Sequence, residues 1–280
     1  QSHSICVRKT LITEHQKLKF WKMQGCGNDF VIVDGRFSDL SLSPEVIERL
    51  CNRNFGVGCD QFIILRPPEN PAIDVFIEIF NTDGSAAEAC GNATRCVARL
   101  LFEEKPTRTK TIQTDHTLLV ARQIDGHIQV DQIQVDMGEP TPSSGINQFE
   151  SLGLKGTSVD MGNPHCVFFC DEVAKIDLSV VGPQIENDPR FPNKTNVEFV
   201  QVLSRKRVIQ RTWERGVGET LACGSGACAV AVAGVLRGFT DHQVTIELKG
   251  GILEIEWCKD SDHVLMTGSA EHVFTGEIQL

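Results

Sequence analysis

The chain has 280 residues, of which 41% are hydrophobic and 23% charged, proportions of a folded globular protein rather than a disordered one. Its length suits two lobes of ordinary domain size better than one core. A formal charge of −10 disfavours general nucleic-acid binding, which needs a basic face. No apolar run nears the ~20 residues of a membrane span. The start of the chain lacks the charged-then-apolar layout of a secretory signal, so the expected setting is cytoplasmic. Residues 1–17 precede the first methionine, Met23, and read as an extension or cloning remnant outside the fold. Eleven cysteines is an odd count in a chain large enough to fold without staples, so free thiols are expected rather than a disulfide framework.

Taken in chain order, residues 18–36 read as strand, glycine-rich turn and strand. SPEVIERLCNRN is a short helix, with Ser43 as N-cap and Pro44 at the first helical position. QFIIL and IDVFIEIF are strands on either side of the PPENP loop. NTDGS is a turn, and the helix opened by EACGNATRCVARL follows. TKTIQTDHTLLVA and GHIQVDQIQVDM read as two further strands closing this half near Met137, with EPTPSSG as a linker. The second half repeats the order. MGNPHCVFFCD gives a turn and strand, NVEFVQVL and VIQRTWERG are strands, and LACGSGACAVAVA opens a second helix. QVTIELKGGILEIEW is a hairpin around Lys249-Gly250-Gly251, and VFTGEIQL is a last strand.

The two helices both begin Ala-Cys-Gly, and the spacing around them repeats. Asn28 precedes Cys90 by 62 residues and Asn163 precedes Cys223 by 60; Asn81 and Glu214 each lie 9 before their cysteine. A duplicated α/β lobe explains this, and two such lobes face to face would bring both helix tips to one cleft. The expected lobes are 18–137, with the terminal strand 269–280 returning to it, and 138–268.

A cysteine at a helix tip has free backbone N–H groups and the positive end of the helix around its sulfur. Both favour thiolate and are expected to lower the thiol pKa from ~8.5 toward neutrality. The same N–H groups can bind a carboxylate. An anion site flanked by two thiols can therefore invert an α-amino acid. One thiolate takes the α-proton, the opposite thiol returns one to the other face, and the helix ends stabilise the charge spreading into the carboxylate. Two other readings compete. Cys90, Cys96, Cys223 and Cys228 could hold a metal, but spacings of 6 and 5 turn the second cysteine of each helix away from the first. A redox dithiol lacks a C-x-x-C motif. Cys96 and Cys228 are better read as helix-packing residues.

Seven stretches, in order along the chain, then point to one family: GCGNDFVIVD (25–34), GVGCDQFIIL (56–65), FNTDGSAAEACGNATRC (80–96), MGNPHCVFF (161–169), TNVEFVQV (195–202), TWERGVGETLACGSGACAVAVA (212–233) and TGSAEHVFTGEI (267–278). Together they resemble the diaminopimelate epimerase family, the pyridoxal-independent two-cysteine enzymes that interconvert LL- and meso-diaminopimelate in lysine and peptidoglycan precursor biosynthesis. The resemblance implies an α+β fold of two pseudo-symmetric lobes, each a barrel-like sheet around a central helix, with the site between them. It implies Cys90 and Cys223 as the acid/base pair, and His165 and Glu214 as groups that tune or orient the thiols. Gly91-Asn92 and Gly224-Ser225 are implied to hold the reacting carboxylate. Asn28, Gln61, Asn81, Asn163, Asn196 and Arg215 are implied to line the rest of the cavity, with Glu214 reading the reacting ammonium and Arg215 clasping the distal carboxylate. No cofactor and no metal are implied, and the partner is a second copy of the chain, with Phe274 near the interface. The rival reading within the same chemistry is a racemase or epimerase of proline, hydroxyproline or histidine. Two positions depart from the usual pattern of the family: Ala93 stands for a glycine and Phe274 for a tyrosine.

Overall fold

The computed structural model describes residues 17–87, 91–124, 132–143 and 145–280, and within them the chain folds the same way twice. β1 (Lys17–Gly25) and β2 (Asn28–Asp34) are antiparallel, joined through Cys26 and Gly27, both at positive φ. β2 runs parallel to β3 (Gln61–Arg66), with helix α1 (Pro44–Cys51) in the crossover. Ser43 Oγ accepts from Val46 N and Pro44 opens the helix, the arrangement its sequence anticipates. β3 pairs antiparallel with β4 (Val75–Asn81), and helix α2 (Gly91–Glu104) follows. β4 is parallel to β5 (Thr109–Gln113), and β6 (Leu118–Gln123) and β7 (Gln132–Asp136) continue antiparallel.

The second half opens with β8 (Thr141–Pro142) and β9 (Asn147–Phe149), both paired with β10 (Leu154–Asp160). β10 is antiparallel to β11 (Pro164–Cys170), which is parallel to β12 (Asn196–Ser204) across helix α3 (Leu178–Glu186). β12 pairs antiparallel with β13 (Arg207–Glu214), and a short β14 (Gly218–Thr220) leads to helix α4 (Gly224–Leu236). β13 is parallel to β15 (Gln243–Leu248), with β16 (Gly251–Trp257) and β17 (Val264–Ser269) antiparallel after it. The strand senses match those of the first half pair by pair. β17 also pairs with β7, which joins the halves, and β18 (Glu271–Gln279) returns to lie antiparallel on β1.

Each half curls its strands around one helix. α2 packs on β1, β5, β6 and β7, and α4 on β10, β11, β12, β16 and β17. α4 can sit so deep because its run of Ala, Val and Gly is small and apolar all round; the helix is buried from Ala227 to Gly234, the pattern of a fully enclosed helix. α2 is nearly as buried but carries Thr94 and Arg95 into the core. Cys96 and Cys228 lie wholly inside, among the apolar residues of their helices.

The structure differs from the sequence reading in several places. TKTIQTDHTLLVA is a hairpin, β5 and β6, because Thr114 Oγ1 accepts from His116 N and Thr117 N and turns the chain. The EPTPSSG linker contributes β8, and β9, β10, α3, β14 and β17 were not anticipated. Lys17, assigned to the leading extension, begins β1. The rest of that extension and the first part of GHIQVDQIQVDM lie outside the described residues. No helix among the described residues is long and apolar enough to cross a membrane.

Candidate active site

The duplication dictates where the two helix tips meet. A Cβ added at Gly91 would stand 2.6 Å from Met266 Cε, and one at Gly224 would stand 3.1 Å from Met266 Sδ. Both tips therefore close on one methionine side chain of β17, and a side chain at Gly91 would have to displace the end of Met266. In front of them opens a cleft of about 1050 Å³, which Asn28, Gln61, Asn81, Gly91 and Asn92 line from the first half of the chain. Asn163, Asn196, Glu214, Arg215, Cys223, Gly224 and Ser225 line it from the second. Cys90, immediately before Gly91 in sequence, lies outside the described residues. His165 is not in the cleft wall: it is buried behind it, its Nε2 2.9 Å from Asn163 Oδ1.

Cys223 is the N-cap of α4. Its Sγ accepts from Gly226 N at 3.4 Å and stands 3.6 Å from Ser225 Oγ. The helix tip was expected to lower the thiol pKa toward neutrality, but here burial pushes it well above the ordinary value, and the charges of Glu214 and Glu198 add to the rise. The Ser225 and Gly226 hydrogen bonds act the other way and are outweighed. Cap donors stabilise a thiolate only to the extent that desolvation and neighbouring anions do not oppose them. Burial likewise raises the Glu214 carboxyl, against a hydrogen bond from Thr220 Oγ1 at 2.5 Å.

The asparagines divide by what holds them. Asn196 donates from Nδ2 to Pro164 O and accepts from Arg215 N at 2.9 Å. It thereby fixes the backbone of the arginine, whose own guanidinium also donates to Asn193 O. Asn28 donates to Asp60 Oδ2 at 3.0 Å and accepts from Asn92 Nδ2 at 3.3 Å, while Asn92 Oδ1 accepts from Arg95 at 2.8 Å. Asn81 donates to Ser85 Oγ within its turn. Gln61 presents a buried Oε1 with no hydrogen-bond partner among the described residues, an acceptor suited to an ammonium in the cleft.

Three groups that support the site escaped the sequence reading. Arg95, wholly buried, also donates to Ser269 O at 3.1 Å. Asp29 takes Arg53 in a two-pronged clamp and Lys22 beside it. Burial alone would raise the Asp29 carboxyl, but Arg53 and Lys22 together bring it down to about 2. Glu198 is buried next to His165, Oε1 to Nδ1 at 2.7 Å. The visible signal for it was an acid in the middle of an apolar strand, NVEFVQV. A second cavity, about 630 Å³ between Arg205, Thr240 and Glu254, brings together none of the residues singled out from the sequence.

The model of the diaminopimelate epimerase family matches residues 20–142 and 157–273. A diaminopimelate epimerase of Leptospira biflexa is 42% identical over 94% of this chain and 100% of its own length. Another, of a Synechococcus strain, is 48% identical over 93% of this chain and 98% of its own. The chain belongs to the diaminopimelate epimerase family. It is therefore an isomerase, as the seven motifs implied. Members of the wider fold are far more distant in sequence. A predicted epimerase of Pseudomonas aeruginosa superposes with a TM-score of 0.71 at 16% identity, over 94% of this chain and 99% of its own. A hydroxyproline epimerase of Agrobacterium vitis superposes at 0.69 and 14%, over 95% and 92%. These last two share the two-lobed fold, and at such identity the fold alone.

Proposed function

We propose that the protein interconverts LL- and meso-diaminopimelate by two-base proton transfer at one α-carbon, in the biosynthesis of lysine and peptidoglycan precursors. Cys90 and Cys223 are the proton carriers, each acting as base for one isomer, on opposite faces of the carbon. The reacting carboxylate docks on the N–H groups of the two tips, at Gly91-Asn92 and Gly224-Ser225, where charge developing during proton abstraction is stabilised. Glu214 reads the reacting ammonium. Arg215 takes the distal carboxylate, and Asn28, Gln61, Asn81, Asn163 and Asn196 line the rest of the cavity. His165 and Glu214 orient and tune the thiols. The reaction needs no pyridoxal group in this scheme, because the acidity of the α-carbon is raised by the cleft itself.

What carries the reading is the convergence of two duplicated helix tips on one methionine, with Cys223 capping one and Cys90 preceding the other in sequence. The lobes of this enzyme are 18–137 with 269–280, and 138–268. It acts in the cytoplasm as a homodimer, with Phe274, 47% exposed on β18 and edge-on to Phe20, near the contact between copies. The test is inversion of LL-diaminopimelate against L-proline, trans-4-hydroxy-L-proline and L-histidine. Turnover of diaminopimelate alone is expected. Faster inversion of a substrate without a second charged end would overturn the reading.

A further inference from the structure

The duplication supplies an internal control for every residue of the site. Register makes the equivalences explicit: Phe30 lies opposite Gln61 on β2 and β3, as His165 lies opposite Asn196 on β11 and β12. Two residues further along each pair, Ile32 faces Ile63 and Val167 faces Glu198. The first lobe thus fills two interior positions with Phe30 and Ile63, both fully buried. The second puts His165 and Glu198 in the same two places, also fully buried and 2.7 Å apart. A buried acid and imidazole where an apolar pair demonstrably fits cost desolvation that needs a return.

The room for that acid is specific. A Cβ at Gly226, in the first turn of α4, would stand 2.6 Å from Glu198 Oε1 and 3.2 Å from Cys223 Sγ. The carboxylate and the thiol therefore flank the same missing side chain. Glu198 Oε2 is buried with no hydrogen-bond partner among the described residues. The other groups around the sulfur are Glu214 at the end of β13 and Ser225 with the Gly226 N–H on α4 itself, while His165 on β11 bonds Glu198. The cleft in front is lined by the charged Arg53, Asp60 and Asp83 of the first half and by Arg215, Glu219 and Lys249 of the second, Glu219 being paired to Lys249.

We propose that Glu198 is a positioning residue for Cys223, absent from the first lobe, whose buried carboxyl group, set with the sulfur around the first turn of α4, disfavours a thiolate there and so makes Cys223 the donor of the two thiols in the resting protein. In the direction that starts from this state Cys223 S–H gives its proton to the α-carbon and is left as thiolate, while the proton taken from the opposite face resides on Cys90; in the reverse direction the Cys223 thiolate is the base. The inference rests on the proposed function for the identity of the reaction, though not for the coupling between Glu198 and the sulfur. The direction of the Cys223 shift, to which Glu198 contributes after burial and Glu214, agrees with it.

The experiment is site-resolved alkylation of Cys223 by iodoacetamide as a function of pH, read by peptide mass in the intact protein and in Glu198→Gln. The variant is expected to be alkylated at least tenfold faster at pH 7.5, with its profile displaced to lower pH and Cys90 in the same digest moving less. An unmoved Cys223 profile overturns the proposal, as does a profile that only Glu214→Gln displaces. Should Glu198→Gln not fold, His165→Phe with Glu198→Ile copies the first lobe's own pair into the second and must give the same acceleration. Alkylation needs no turnover. A protein with the displaced profile that nevertheless fails to invert diaminopimelate would refute the proposed function while supporting the coupling.

Discussion

The two lobes share one topology and differ in what they bury under their helix tips. Arg95 in α2 and Cys228 in α4 each stand five residues beyond the Cys of their Ala-Cys-Gly motif. Arg95 is fully buried and ties Asn92 to Ser269 O. Cys228 is a thiol that burial pushes up to about 12. In the strands behind, Phe30 and Ile63 of the first lobe become His165 and Glu198 of the second. One tip is backed by a cation and the other by an acid. Duplication fixed the geometry of a symmetric cleft, and substitution at a few interior positions then made its two sides chemically different. A reaction that must take a proton on one face and give one on the other can use that difference.

The comparison can be broken at several points. Cys223→Ser removes one carrier and is expected to lower diaminopimelate inversion by at least ~100-fold, the scale of a positioned acid/base group. Retention of more than a tenth of the parental rate would contradict its role. Arg95→Leu strips the donors from Asn92 Oδ1 and Ser269 O inside the core and should cost about 3 kcal/mol in urea unfolding. A loss below ~1 kcal/mol would mean that other donors replace it. Gly226→Ala sets a methyl against Glu198 and the Cys223 sulfur. Overpacking of ~1–3 kcal/mol, against the ~1 kcal/mol that alanine gains in a helix, leaves a small net destabilisation. A variant more stable than the parent would show that the acid moves aside freely.

The smallest difference expected is one of acid sensitivity. Asp29 is clamped by Lys22 and Arg53, while its counterpart one residue before His165 is Pro164. Because its folded pKa lies below the ordinary value of 3.8, at about 2, the clamp stabilises the native state above pH ~4 and loses that contribution as pH falls toward 2. Hydrogen exchange followed from pH 4 to pH 2 should therefore show β1 and β2 losing protection before β10 and β11. Simultaneous loss would remove the clamp from the account.

Much of this was legible in the sequence because it is written in spacing. Asn28 to Cys90 and Asn163 to Cys223 are nearly equal intervals, 62 and 60 residues, and a strand-helix order that repeats leaves one topology to build. The Ser43-Pro44 cap is local chemistry and was equally visible. What could not be read was whatever depends on burial. Arg95 looks like a surface charge on a helix until the lobe closes over it, and the acid in the apolar run NVEFVQV signals burial of Glu198 without showing its partner. The rise in the Cys223 thiol has the same origin, since a helix tip in the open would have lowered it. The hairpin at Thr114 was hidden because a strand-like run of residues continues through a turn made by one hydroxyl.

Everything turns on two thiols serving one carbon from opposite sides, and isotope entry reads that directly. LL-diaminopimelate is allowed to react in deuterium oxide, and product and residual substrate are separated during the first few per cent of turnover. The account predicts deuterium at the α-carbon of the meso product, with almost none in the recovered LL isomer, because the returned hydrogen comes from the thiol that did not take the first. Deuterium appearing equally in both isomers from the outset would mean a single base working on one face, and would contradict it.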